Sequence, residues 1–231
     1  MTHKLAVITL AVLQIGLTAV PPAFAQNRYS RDGTSCDLNG AETLTDICGA
    51  ARGLPTGGTQ QQLINRNPNI SSMIVDAANE YGVSPGLALA VSGHEGRMSA
   101  CAGSPTGVQG PMQLTQATGR GYGMDRNILS QNIRGGMLTL RDAIRSCGGE
   151  SDIRCLADRY NGSTEAQRQS WTNGVTDRLA QMNNTPLPPT CDQRNSACRD
   201  SDFPLPGQTS VAAATPPPPA SSDINVAAGQ V

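Results

Sequence analysis

One carboxylate stands apart in this chain. Glu95 closes the largely apolar segment Leu87 to His94, and nine residues later a glycine-rich stretch begins, Ser104-x-x-Gly107-Val108-x-Gly110. That stretch delivers Met112-Gln113-Leu114 into a new apolar segment; Asn132-Ile133-x-x-Gly136 and Tyr160-Asn161-Gly162 follow in order. A lone glutamate among apolar side chains suits proton transfer. An apolar pocket disfavours the charged form and lifts a carboxyl pKa from about 4.3 to about 6 or higher. Met98, Met112, Leu114 and Tyr160 are the expected walls. Other chemistries lack their residues. His94 is the only histidine beyond His3, no nucleophile motif accompanies it, and adjacent helical side chains point apart, so it reads as structural. The chain has no C-x-x-C pair for zinc, and no metal or other cofactor is expected.

Taken together, the pieces resemble the core of the soluble lytic transglycosylases, lysozyme-like enzymes that cut peptidoglycan. In that family a glutamate is followed at these offsets by S-x-x-G-[A/V]-x-G-x-M-Q-[L/I], then by N-I-x-x-G and A-Y-N-x-G. The resemblance covers roughly residues 68 to 184. It implies a catalytic acid at Glu95, sugar contacts from Ser104 and Gln113, and Tyr160 facing the glutamate across the cleft. Asn161 is carried over with Tyr160 on the substrate side, where it also shapes the turn. The implied reaction breaks the β-1,4 bond between MurNAc and GlcNAc and leaves a 1,6-anhydro end. One glutamate does both proton transfers there, whereas hydrolysis normally calls on a second carboxylate. Asp125 is the nearest downstream candidate for one, and nothing around it marks a site. A hydrolytic muramidase and a non-catalytic wall-binding protein on the same fold stay open as alternatives. This chain departs from the family pattern at Gly96 and Met98, where serine and an aromatic are usual. It departs again at Thr115-Gln116, where Met-Pro is usual, and at Arg159, where a small residue precedes the tyrosine.

Composition bounds the partners. Lys4 opens a short cationic start, Leu5 to Val20 is almost wholly apolar, and Ala23-Phe24-Ala25 offers small residues at a cleavage point, so residues 1–25 read as an export signal. The apolar run is short for a membrane span and carries Gln14, so no membrane anchor is expected. Without that segment the chain holds 16 basic residues, all arginine, against 18 acidic ones, a net charge of −2. Such a balance makes no case for nucleic acid. Seven cysteines in an exported chain point to disulfides in an oxidising compartment, here the periplasm, with one cysteine left over. Cys147 and Cys155, bracketing a short loop between two helical patterns, are the first pair to expect; the others stay unassigned. The expected partner is the peptidoglycan glycan strand, with a secretion or conjugation apparatus added by analogy to small stand-alone family members.

The elements that must position these residues read as helices, giving a mainly α, lysozyme-like domain with one small hairpin allowed near Ala102 to Val108. Residues 26–67 read as an irregular cysteine-containing extension, 68–184 as the folded domain, and 185–231 as a Pro-rich disordered tail. Met73, Ile74, Ala77 and Ala78 form one helical face that stops at Tyr81-Gly82, and Ser84-Pro85 restarts the helix that ends near Glu95. Gly110 to Thr118 reads as a short helix, Ile133 to Ile144 as a longer one, and Ser151 as the cap of a helix through Leu156. Thr164 with Gln167 predicts a capping box for a last helix striped by Trp171, Val175, Leu179 and Met182.

Overall fold

The computed structural model describes residues 31–104, 107–161 and 164–201. The expected export signal lies outside these residues, as do the Pro-rich stretch beyond 201 and Gly162 of the Tyr-Asn-Gly motif. Among the described residues the chain is helical: α1 (Leu44–Cys48), α2 (Gln60–Arg66), α3 (Pro68–Tyr81), α4 (Pro85–Glu95), α5 (Gln116–Gly121), α6 (Leu129–Cys147), α7 (Ile153–Tyr160), α8 (Glu165–Met182) and α9 (Cys191–Ser201). The allowed hairpin reduces to isolated bridges, Gly103 with Gln109 and Gln109 with Leu114.

Helix α4 is the axis of the fold. Every residue from Leu87 to Gly93 is buried, so the helix, apolar apart from Ser92, sits inside a cage of α3, α8 and α2. It starts at Pro85, pre-set for a first helical position, and the Ser84 N–H donates to the Glu150 carboxylate (2.8 Å). The preceding α3 ends on Gly82 in the left-handed conformation, with the Val83 N–H returning to the Ala78 carbonyl (2.9 Å). Because α4 is buried from Leu87 to Gly93, its last residue, Glu95, is held half-buried at the end of a packed helix.

Several expectations are corrected. Residues 110–114 are a turn, and the helix expected there begins only at Gln116. Gly110 and Gln113 both hold positive φ (76° and 47°), which no helix accepts, and Thr115 caps α5 by accepting from the Thr118 N–H (3.0 Å). Helix α7 is capped by Asp152, not Ser151, because the Asp152 carboxylate reaches the Cys155 N–H (2.9 Å), and it runs on to Tyr160. The extension is not irregular throughout: α1 and α2 each start with a complete capping box, at Thr43 and Thr59. The segment from Thr185 is ordered through Ser201. Cys191 is bridged to Cys36, its N–H donates to Asp76 (3.0 Å), and Arg194 donates to Asn69 (2.8 Å), which hold α9 on α3. The remaining bridges are Cys48–Cys101 and the expected Cys147–Cys155. The cysteine left over is Cys198, whose side chain lies outside the described ones.

Candidate active site

The glycine-rich stretch is shaped by three helices that close on one turn. From α6, the fully buried Asn132 donates to the carbonyls of Gln109 (2.9 Å) and Arg126 (3.0 Å) and accepts from the Met112 N–H (3.3 Å). From α4, the Ser92 hydroxyl donates to the Pro111 carbonyl (3.0 Å). From α7, the Tyr160 hydroxyl donates to the Met112 carbonyl (3.1 Å). The two motif residues of α6 thus have distinct tasks: Asn132 clamps the backbone of the turn, and Gly136 leaves the space that Met112 fills. Gly96 is equally constrained. A Cβ there would stand 2.5 Å from the Gly110 carbonyl oxygen and 2.7 Å from Pro111, so the usual serine has no room and the turn lies flush against the end of α4. Arg97 and Met98 then leave the helix through left-handed conformations (φ 51° and 56°), which cost of order 1–3 kcal/mol each and gather with Gln113 around this turn.

Glu95 meets a residue that its own neighbourhood in sequence does not contain. The Trp171 indole N–H, from α8, donates to Glu95 Oε1 at 2.7 Å. Burial pushes the Glu95 carboxyl up to about 7, and the indole bond works in the opposite direction. Tyr160 lies against Trp171, ring centroids 5.8 Å apart and the rings tilted by 33°. Burial, and secondarily the nearby Glu95 charge, hold the Tyr160 hydroxyl well above its ordinary range, so it remains a neutral donor. His94 packs edge-on to Trp171 at 6.2 Å, and burial followed by the Arg178 and Arg97 charges lower its pKa. The histidine is therefore uncharged near neutrality and serves as packing, in keeping with its reading from sequence.

Ser104 and Gln113 lie along an adjoining groove of about 670 Å³, lined also by Gly103 and by Arg52, Gly53 and Leu54 of the extension. Gln113 Nε2 donates to the Gly110 carbonyl (2.8 Å), so part of its amide fixes the turn it stands on. Tyr160 and the Gln113 amide both bond to the turn at residues 110–113, and Gly96, next to Glu95 in the chain, lies against that same turn. Asn161 ends α7, its N–H bonded to the Ala157 carbonyl (3.1 Å), next to Tyr160 but not among the groove residues. Asp125, weighed as a second carboxylate, and Glu165 of α8 both have partners of their own. Asp125 accepts from the N–H and side-chain amide of Asn127 in its own turn, and Glu165 is paired with Arg154 and Arg168. Among the described residues no group of three or more His, Cys, Asp or Glu side chains could hold a metal ion, and no helix is long and apolar enough to cross a membrane. Trp171 and the Arg52–Leu54 segment are the site residues that sequence reasoning missed. Trp171 carried one signal, being the only tryptophan of the chain.

The indole bond has a measurable effect. Trp171→Phe removes the donor that favours the charged carboxylate, so Glu95 should titrate at a higher pH than in the parent protein. Side-chain carbon NMR of labelled glutamate checks this, and an unmoved or lowered midpoint would show that the indole does not set the acid's charge.

Residues 72–180 match the family model described as "Transglycosylase SLT domain". No curated protein matches the chain.

Proposed function

From the premise that this chain belongs to the soluble lytic transglycosylase family and carries its lysozyme-like helical domain, we propose that it cleaves the β-1,4 bond between MurNAc and GlcNAc in peptidoglycan, without water, with Glu95 as its only acid–base group. The observation that carries this reading is Glu95 itself, enclosed at the end of α4, with a pKa of about 7 and an indole N–H on one oxygen.

A carboxyl poised there is protonated often enough to act as acid and is a competent base once it has given the proton up. In the first half, the Glu95 proton passes to the glycosidic oxygen as the C1–O bond breaks. In the second, the Glu95 carboxylate takes the proton from the 6-hydroxyl of the same MurNAc while that oxygen closes on C1. The proton count balances, the enzyme returns to its starting state, and the product carries a 1,6-anhydro ring. Trp171 steadies the carboxylate form between the two halves. Tyr160 holds the turn through Met112, and Ser104 and Gln113 contact the sugars along the groove. Asn161, at the end of α7, stands with them on the substrate side and shapes the turn. Three disulfides support a location outside the reducing cytoplasm, in line with the export signal read at residues 1–25.

The test is mass spectrometry of fragments released from purified sacculi. They should end in 1,6-anhydro-MurNAc, lighter than a hydrolysed end by one water. Reducing ends alone would make the protein a muramidase, and retained binding to sacculi with no release would make it a binding protein.

A further inference from the structure

The groove that Ser104 and Gln113 line has a wall built from residues that precede the family match. Cys48 is bridged to Cys101, three residues before Ser104. The Gly53 N–H donates to the Cys101 carbonyl at 3.1 Å. The Arg52 stem lies over Gly103, where an added Cβ would stand 3.2 Å from Arg52 Cβ. These three independent ties lay Arg52, Gly53 and Leu54 along the same groove that Ser104 and Gln113 line.

The wall has a definite chemistry. Arg52 Nη1 donates to the carbonyls of Gly49 (3.0 Å) and Ala51 (3.2 Å), which fix the plane of the guanidinium. No carboxylate among the described residues pairs with Arg52, and its Nε is covered without a partner. Leu54 beside it is 58% exposed, one of two large apolar side chains that the described surface leaves out in solvent. The rest of the groove offers a hydroxyl and an amide, groups suited to neutral sugars. A guanidinium held by two carbonyls and, at 3.5 Å, by the Thr45 hydroxyl, with no carboxylate to balance its charge and an exposed leucine beside it, suits a different ligand part: a carboxylate on a chain that is otherwise uncharged and partly apolar. Along a strand of N-acetylated sugars, carboxylates joined to an apolar chain occur on the short peptides attached to MurNAc, whereas a MurNAc without its peptide exposes only the short lactyl carboxylate.

We propose that Arg52 and Leu54 form a subsite for the carboxylate-bearing stem peptide, Arg52 taking the carboxylate and Leu54 the apolar part that a bare lactyl group lacks. This rests on the reading of the groove as a peptidoglycan site. Arg52 is a specificity-determining residue supplied by the extension, and the Cys48–Cys101 bridge keeps it in register with Ser104.

The experiment is calorimetric titration of the full chain carrying Glu95→Gln, so that ligand is not consumed. Three GlcNAc–MurNAc oligomers are compared: one bearing peptides with free carboxylates, one bearing the same peptides as amides, and one without peptides. The free-carboxylate oligomer should bind about tenfold tighter than the amide, the worth of one charge-assisted hydrogen bond. Adding Arg52→Gln should bring that ratio close to one, and Arg52→Lys should keep most of it. Equal affinities for acid and amide in the parent, or an unchanged ratio in Arg52→Gln, overturn the subsite. The acid–amide comparison needs no change at Arg52, so it stands even where that variant folds poorly. Binding of all three oligomers without discrimination sinks the subsite alone, whereas no binding of any of them sinks the groove as a glycan site and the subsite with it.

Discussion

Replacing Glu95 by Gln should lower the rate of strand cleavage by about 10² to 10⁴-fold while leaving the fold intact. Glutamine keeps the shape and can still accept the Trp171 N–H, but it can neither give nor take the proton that both halves of the proposed reaction need. The same substitution should change stability in a pH-dependent way. In the folded chain the carboxyl titrates at about 7, against an ordinary value of 4.5, so folding favours its protonated form. Its contribution is therefore fully present below pH 4.5 and is lost as pH rises toward 7 and beyond. Between those limits the difference amounts to roughly 3 kcal/mol. The substituted amide has no proton to lose, so the variant should be less pH-sensitive than the parent and more stable at pH 8. Denaturant melts at pH 4 and pH 8, set beside turnover on sacculi, measure both effects. A variant that keeps more than a tenth of parental turnover would place the acid elsewhere, with Asp125 or Glu165 next to test.

Loss of the Cys36–Cys191 bridge should be the largest single change in stability. The cysteines stand 155 residues apart, so the bridge closes almost the whole described chain. Cross-links over loops this long typically contribute about 2–4 kcal/mol, mostly by restricting the unfolded chain. For a domain of this size that corresponds to a fall in melting temperature of about 5 to 15 °C. The contacts around the bridge should loosen with it, since Asn195 donates to the Cys36 carbonyl (3.0 Å) and Arg194 to Asn69 only while α9 is docked. The carboxyl of Glu95 and its indole donor lie on α4 and α8, which the bridge does not touch, so turnover well below the melting temperature should persist. Calorimetry of the double serine variant decides: a loss below about 1 kcal/mol would mean that docking of α9 on α3 is sustained without the covalent tie.

Much of the fold was legible because its longest helices announce themselves. The face of Met73, Ile74, Ala77 and Ala78, the stripe from Ile133 to Ile144, and the Thr164–Gln167 box are local patterns, and local patterns survive in a bare sequence. The turn at 110–114 was misread because Met112-Gln113-Leu114 is a short apolar run with no period of its own. Its conformation is imposed by Asn132, Ser92 and Tyr160, which arrive from three other helices. The extension looked irregular for a related reason: it is held by Cys48–Cys101, Cys36–Cys191 and the Asp32 carboxylate on the N–H groups of Asn69 and Ile70, none of which leaves a stripe. In the candidate site, Glu95 and the glycine-rich stretch were visible through their order along the chain. The Trp171 bond was not, because the two residues lie 76 positions apart and Trp171 also fits its stripe as an ordinary core residue. Two departures from the family pattern have local reasons, Gly96 in the contact with Pro111 and Thr115 as the cap of α5. Arg159 is exposed in the last turn of α7, where a cation complements the helix dipole.

The placement of the longest bridge also sets an order of events during synthesis. A chain made from its N-terminus presents Cys36 first with Cys48, then with Cys101, Cys147 and Cys155, and only near the end with its proper partner Cys191. Four wrong partners are thus on offer before the right one exists. Any early pairing of Cys36 must be undone by attack of a second thiolate on the mispaired sulfur, a thiol–disulfide exchange that runs on the timescale of seconds to hours unless catalysed. Maturation of this protein is therefore tied to the thiol-exchange capacity of the compartment in which it folds.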